Sequence, residues 1–370
     1  MGPSPSYRAI VRSARWEAMR CGLVVATLAL AGCGESGDAV DEAPTCVPSD
    51  PAQIPHETLS EYCLFVGPLV DEVPAPGVVP YTVNTPLWAD LAEKGRYIAL
   101  PEGGTIEVGD DREEWVFPVG TLLIKSFYFT LDRRDPDGAF RTIETRLLIN
   151  EPDGWSNHTY VFDDAQTEAT RFVAGKRVPV SYTDADGNEA EQDYLVPNTN
   201  QCGNCHERDD EIGVLGPFTP QMNVEGQLAR MEALGMFSEP LGDIGAMDKM
   251  AAIDGPEPLE TRARDYLHGQ CAHCHRDGGG GGRSGLSLLR WEDDPSSYGI
   301  CKRPVAAGDG SGDLAADIVP GDPERSILVF RMKSVDPEIK MPELPNRLPD
   351  DAGIDLVSEW IRSLAPAGCD

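Results

Sequence analysis

The pentapeptide Cys-x-x-Cys-His occurs twice, as Cys202-Gly203-Asn204-Cys205-His206 and as Cys271-Ala272-His273-Cys274-His275. Two thiols three residues apart stand one helical turn from each other, and the histidine that follows sets an imidazole beside them. That arrangement fixes a haem through two thioether bonds, with the histidine as iron ligand. Two copies behind an export leader predict two covalently bound haem c groups. Cys202, Cys205, Cys271 and Cys274 are the expected attachment points, and His206 and His275 the expected iron ligands. Whatever the chain folds into must leave room for two flat macrocycles beside these segments.

The leader is an apolar run, Leu23 to Leu30, preceded by Arg20 and followed by Ala31-Gly32-Cys33. It is too short to span a bilayer and reads as the central region of a signal peptide. Small residues before a cysteine match a bacterial lipoprotein cleavage box. Residues 1–32 are then removed, and the mature chain starts at a lipidated Cys33; ordinary cleavage to a soluble product is the alternative. A translational start at Met19 gives the same mature chain. Gly34 after the cysteine favours the outer membrane under the enterobacterial sorting rule. The expected location is the bacterial cell envelope, facing the periplasm, with acyl chains as anchor. Residues 33–57, rich in Gly, Ser, Asp, Glu and Pro, read as an acidic tether.

An oxidising compartment lets the remaining cysteines pair. Cys46, Cys63, Cys301 and Cys369 are left, an even number. Cys46 and Cys63 are close in sequence, and Cys301 with Cys369 follows by elimination, although spacing does not fix connectivity. The chain carries 62 acidic and 31 basic residues, a formal charge of −31. That balance argues against nucleic acid as a partner. An acidic surface steers a basic-surfaced redox partner, or serves only to keep an exported protein soluble.

Residues 58–195 read as β-rich. Leu123, Lys125, Phe127, Phe129 and Leu131 alternate with Leu122, Ile124, Ser126, Tyr128 and Thr130, a strand apolar on much of both faces. Ile143, Thr145, Leu147 and Ile149 mark a half-buried strand, and Tyr160-Val161-Phe162 and Val178 to Tyr182 add two more. Asp135-Pro136-Asp137-Gly138, Pro152-Asp153-Gly154 and Asp186-Gly187 are turn signals. The spacing predicts an antiparallel sandwich or barrel. Asp184-Ala185-Asp186-Gly187-Asn188 departs from a calcium loop, because its glycine falls at the fourth position and not the sixth, so a hairpin turn is the reading. No nucleophile–base pair or phosphate loop stands out. His158 reads as a strand residue within reach of a haem.

Residues 258–370 read as a helical haem domain. Leu259 to Gly269 predicts a helix running into Cys271. Asp322-Pro323 is a helix start, with a helix to about Lys333. Ile354, Val357, Ile361 and Leu364 mark a last helix from Asp350, with Trp360 at the edge of its stripe. A helix entering the motif and crossing a C-terminal helix is the arrangement of class I cytochromes c. Between the last two helices, Met341 precedes Pro342 in a loop and is the expected sixth iron ligand; Met332, inside a helix, is the competitor. His268 and His273 read as surface residues, and Gly278 to Gly282 as a flexible loop. Arg283 and Arg303 are offered to haem propionates on charge alone.

Residues 196–257 form the first haem-binding segment. Leu215-Gly216-Pro217 follows the motif, and a Gly-Pro pair there supplies a carbonyl to the proximal imidazole in class I cytochromes. The sixth ligand is open between Met222, Met247, Met250 and none; Met231 and Met236 fall on a helix, where core packing is the default. The fold class is then multidomain α+β: a β-rich sandwich or barrel followed by α-helical, cytochrome c-like haem domains.

Several segments carry a resemblance. They are Asn84-Thr85-Pro86-Leu87, Phe117-Pro118-Val119-Gly120-Thr121, Ile143 to Leu148, Pro197 to Cys202, Arg262 to Leu267, Gly299-Ile300-Cys301-Lys302 and Ile318 to Pro323. From about residue 58 onward the chain resembles a family of bacterial dihaem c-type cytochromes, largely uncharacterised and often predicted to be lipoproteins. Its haem halves look like the modules attached to quinoprotein sugar dehydrogenases. The resemblance implies two covalent haems and exported redox work, with the haem residues carried onto the two motifs. Relatives are expected to have glycine at position 63, which makes a Cys46–Cys63 bond peculiar to this chain. The leading expectation is an electron carrier. An enzyme acting at a five-coordinate first haem, peroxidase-like or binding a small ligand, is the second. A cytochrome subunit of a dehydrogenase complex is the third.

Overall fold

The computed structural model describes residues 54–305, 307–344 and 347–369. The leader, Cys33 and Cys46 lie outside them. Alternating segments become strands: β1 (Val78–Pro80), β2 (Glu93–Ala99), β3 (Leu122–Thr130), β4 (Phe140–Glu151), β5 (Gly154–Phe162) and β6 (Ala169–Arg171). They pair antiparallel in sequence order as one six-stranded sheet. A separate hairpin, β7 (Lys176–Thr183) with β8 (Glu189–Val196), closes over Phe127 and Phe129. Its turn is held by Asp184, whose Oδ1 accepts from the amides of Asp186 (2.9 Å) and Asn188 (2.8 Å).

Six α-helices follow: α1 (Thr199–His206), α2 (Thr219–Met222), α3 (Gln227–Ala233), α4 (Leu259–Cys271), α5 (Ile327–Lys333) and α6 (Asp351–Ser363). None is long and apolar enough to cross a membrane among the described residues. Two parts of the expected architecture are corrected. The β region is one open six-stranded sheet with a two-stranded hairpin laid on it, not a sandwich or barrel. One face packs on Leu59, Tyr62, Leu64 and Phe65 from the preceding segment. The hairpin covers part of the other, and loops and short helices of the later chain cover the rest.

Nor are helical, cytochrome c-like domains found. Among the described residues, the chain from the second motif to α5 has only single 3-10 turns, because glycines and prolines recur too often for a helix to propagate. Helix α1 has no buried residue, so it has no core face of its own. Helix α4 does pack on α6, with Ala263, Tyr266 and Leu267 against Ile354, Val357 and Ile361; Trp360 is buried there rather than at the stripe's edge. Cys301 and Cys369 form a disulfide that ties the end of the chain to this core. Cys63 is disulfide-bonded too; the expected pairing with Cys46 lies outside the described residues.

One stretch joins the sheet to everything after it. Residues 82–90 leave the sheet edge without a strand neighbour, and three buried glutamines satisfy their backbone. Gln227 accepts from the Thr82 amide (2.8 Å) and donates to the Thr82 carbonyl (3.0 Å). Gln221 does the same for Thr85 (2.9 and 2.8 Å). Gln270 accepts from the Trp88 amide (2.7 Å) and donates to the Pro86 carbonyl (2.9 Å). A primary amide offers both a donor and an acceptor, so it replaces a missing strand partner at each point.

The stretch ends on Asp90, which is buried at φ 52°. Its Oδ1 accepts from the amides of Arg347 (2.7 Å) and Leu348 (2.9 Å), while Oδ2 has no partner among the described residues. Burial pushes this carboxyl up to about 6 from 3.8, partly offset by the Leu348 amide. A folded-state value above the unfolded one means that stability is lost as pH rises between about 4 and about 6. Asparagine keeps the accepting oxygen, tolerates the left-handed backbone and carries no charge. Asp90→Asn is therefore expected to be more stable than wild type by about 1–3 kcal/mol at pH 8 and equal to it near pH 4. Denaturant unfolding at the two pH values checks this, and a gain of the same size at both would remove the charge from the account.

Candidate functional site

Each motif faces its own cavity, and the cavities adjoin. The first, of about 210 Å³, is lined by Cys202, Cys205 and His206. The second, of about 440 Å³, is lined by Cys271, Cys274 and His275. Cys205, His273 and Leu344 border both.

The first motif is helical because its start is capped twice over. The Asn198 side chain accepts from the Gln201 amide (3.0 Å), and the Gln201 side chain accepts from the Asn198 amide (2.9 Å). This reciprocal box begins α1 and carries Cys202, Cys205 and His206 onto adjoining turns. The His206 Nδ1 lies 2.9 Å from the Gly213 carbonyl. A carbonyl only accepts, so Nδ1 carries the proton and Nε2 keeps its lone pair for a metal. Burial pushes His206 down to about 4, which keeps the ring neutral.

The expected donor of that carbonyl, the Gly216-Pro217 pair, does something else. Its Pro217 carbonyl accepts from the Trp115 amide (2.7 Å) and its Gly216 carbonyl from the Phe218 amide (2.8 Å). The two-residue strands Glu207–Arg208 and Glu211–Ile212 form a ribbon directly after α1, and that ribbon brings Gly213 back under the imidazole sooner than Gly216 can return.

The second motif closes α4, and the glycine run wraps it. The Gly281 amide donates to the Cys274 carbonyl (3.0 Å). A β-carbon at Gly279 or Gly282 would collide with the carbonyls of Cys274 and Arg276. The run is thus a close wrapping of the motif, not the loose loop expected. Burial pushes His275 down to about 4 as well, and its Nδ1 has no partner among the described residues.

The motifs touch. The Cys274 Sγ donates to the Asn204 carbonyl (3.2 Å), and the Asp209 amide donates to the Gly278 carbonyl (3.2 Å). Ligand atoms of Cys205, His273 and Cys274 all lie within 4.8 Å of one another. All four motif cysteines are free thiols. The Cys205 and Cys274 sulfurs are close enough to interact, which lowers Cys205 and raises Cys274. Burial raises Cys202, and raises Cys271 to about 12. Glu114 adds a third tie, reaching Arg276 (3.0 Å) and Arg208 (3.4 Å), one cation from behind each motif.

The donor chemistry fits covalent haem at both places. Each cavity offers two thiols one turn apart, a neutral imidazole and apolar walls. Leu123, Leu148 and Phe218 contribute to the first, and Leu286, Leu288 and Ile327 to the second. Met341 and Met332 both line the second cavity. The first differs. Met222 and Met250 are fully buried in core packing, as are Met231 and Met236, and Met247 packs at the margin of that core. No methionine lines the first cavity among the described residues.

Nitrogen bases remain there. His158 is paired with Leu147, whose side chain lies in the core beyond the sheet, and its Nε2 meets the Ser156 Oγ (2.9 Å). It therefore faces away from the cavity its backbone borders. His268 is no surface residue: its ring sits between Phe218 and Trp291. Its Nδ1 accepts from the Arg290 amide (3.3 Å), which leaves the proton on Nε2 and makes it a donor at the cavity wall. Arg283 and Arg303 are exposed and line neither cavity.

Comparison of the chain with protein-family models, with curated proteins and with solved structures gave no match. The site is accordingly read from its own chemistry.

Removing one half of the capping box loosens the frame of the first motif. Asn198→Ala is expected to cost about 1 kcal/mol of stability and to speed hydrogen exchange at the first amides of α1. Unchanged exchange there would show that the box does not hold the motif.

Proposed function

We propose that the chain is an exported, lipid-anchored dihaem c-type cytochrome that carries electrons between redox partners in the bacterial envelope. The observation that carries the proposal is the pairing of two Cys-x-x-Cys-His segments on adjoining cavities, with Cys205 and Cys274 in contact. Haem bound there supplies a one-electron iron couple. Cys202 with Cys205, and Cys271 with Cys274, hold the two groups. His206 presents Nε2 because the Gly213 carbonyl fixes its tautomer. Met341 lines the second cavity as a thioether ligand, with Met332 as the alternative. The contact between the motifs leaves no secondary-structure element between the attachment sites, which suits transfer from one to the other. Cys33 supplies the membrane anchor, and the net charge of −31 suits docking with a basic-surfaced protein or a dehydrogenase.

A second reading rests on the first cavity. Its lack of a lining methionine and the His268 Nε2 donor at its wall favour an open or nitrogen-ligated position, and with it an enzyme or small-ligand binder. A ferric spectrum that shifts on adding cyanide or peroxide supports that reading, and two low-spin haems support the carrier.

Intact mass of the protein exported from a host that attaches haem decides the main proposal. The expected mass is that of a chain starting at an acylated Cys33 and bearing two haems. Replacing Cys202 and Cys205 together by alanine leaves one haem, as does replacing Cys271 and Cys274. A mass equal to the bare lipidated chain, with no α-band after reduction, would refute it.

Met341→Leu is expected to remove the weak red absorption band of thioether-ligated ferric haem and to lower the midpoint potential, whereas Met332→Leu keeps both. The reverse pattern gives the ligand role to Met332.

A further inference from the structure

Arg96, Lys125 and Arg146 stand directly opposite one another on β2, β3 and β4. Like charges so placed destabilise a sheet. All three sit on the sheet face that carries Ile98, Leu123 and Leu148, and all three line the first cavity.

Little neutralises them. Arg146 is paired with Glu144 (Nε to Oε2, 2.9 Å), a carboxylate that also accepts from the Tyr194 hydroxyl (2.8 Å). Lys125 has no hydrogen-bond or ion-pair partner among the described residues; the Phe127 ring lies 5.3 Å from its Nζ, and burial lowers it to about 7. Arg96 is 8% exposed and has no hydrogen-bond or ion-pair partner among the described residues. The one acid lining this cavity, Glu114, is already shared by Arg208 and Arg276. A chain with twice as many acids as bases has therefore gathered three cations at this spot with one carboxylate, Glu144, paired among them. Buried charge of one sign is costly unless something pairs with it.

We propose that the Arg96–Lys125–Arg146 row is an oxyanion-binding site on the floor of the first cavity. Neighbouring strands lie about 4.8 Å apart, so the row presents its donors along a line that oxygens of carboxylates or of a tetrahedral oxyanion can bridge. Two sources share this chemistry. One is the pair of propionates of a haem attached at Cys202 and Cys205, which rests on the cytochrome reading. The other is a free oxyanion, which does not.

The test uses the haem-loaded full-length protein, Arg96→Gln, Lys125→Gln, the charge-keeping Arg96→Lys, and Arg177→Gln as an exposed control. One arm follows the thermal midpoint as sodium sulfate replaces sodium chloride at constant ionic strength. The other records the propionate bending band by resonance Raman. A free-oxyanion site gives a saturable rise in the midpoint, with apparent affinity at least tenfold weaker in both glutamine variants. A propionate site gives no such rise, but the band shifts in both. In either case Arg96→Lys and Arg177→Gln behave as wild type. If the glutamine variants match wild type in both arms, the row binds no anion and the proposal falls. Haem content is measured on the same samples. A preparation without haem counts against the cytochrome reading alone, and the sulfate arm then decides the row by itself.

Discussion

The run of backbone from Thr82 to Asp90 is the constraint on which the rest of the arrangement depends. It passes from the sheet to the later chain with no strand beside it, yet much of it is buried, so its buried amides and carbonyls need partners. Gln221, Gln227 and Gln270 supply six hydrogen bonds from three different helices. Asp90 anchors the far end to the loop before α6. Because Gln270 lies one residue before Cys271, and Gln221 follows the loop that lines the first cavity, the same bonds set how far each motif stands from the sheet. The sheet and the two motif segments are thus packed as one unit, with the sheet as floor and the motifs as roof.

A second set of contacts fixes the motifs against each other. The Asn204 carbonyl, the Gly278 carbonyl and Glu114 each join a residue of one motif region to the other. These are short-range polar contacts, so a shift of either motif by an ångström would break several together. Cys205 and Cys274 are held in contact by this lock, and the two cavities share a wall. The proposed function needs that closeness, and the charge distribution around the first cavity gives its two sides different roles. Above are thiols and imidazole; below is a cationic row inside an otherwise acidic chain.

Local signals were legible in the sequence. Alternation at Leu122 to Leu131 and at Ile143 to Ile149 marks strands, since side chains on successive residues point to opposite faces. Asp350 and the stripe through Ile361 mark the last helix. What those signals do not carry is the partner across space. The same strands would suit a sandwich, and only the fold shows that one hairpin and the later chain cover the free face instead of a second full sheet. Gly213 and not Gly216 serves His206 because a two-residue ribbon reverses the chain early. Met247 and Met250 stand at a usual ligand distance along the chain, but Met250 is fully buried and Met247 packs at the margin of the core. Lys125 and Arg146 read as ordinary alternating residues until β2 and β4 are set beside β3, and the row then includes Arg96. A cation at an inward position of a buried strand was the available hint.

By itself, the sequence determined the residue types at two points: thiol, thiol and imidazole at fixed spacing. It also marked several strands and helices, β3, β4, α4 and α6 among them, because those follow from periodicity and capping within a few residues. Only the tertiary structure decided that the two thiol pairs adjoin, that glutamine side chains stand in for a missing strand, and that three cations from separate strands meet under one cavity. Each of those depends on residues tens to hundreds of positions apart, brought together by burial and by the need to satisfy buried polar groups, which no local pattern encodes.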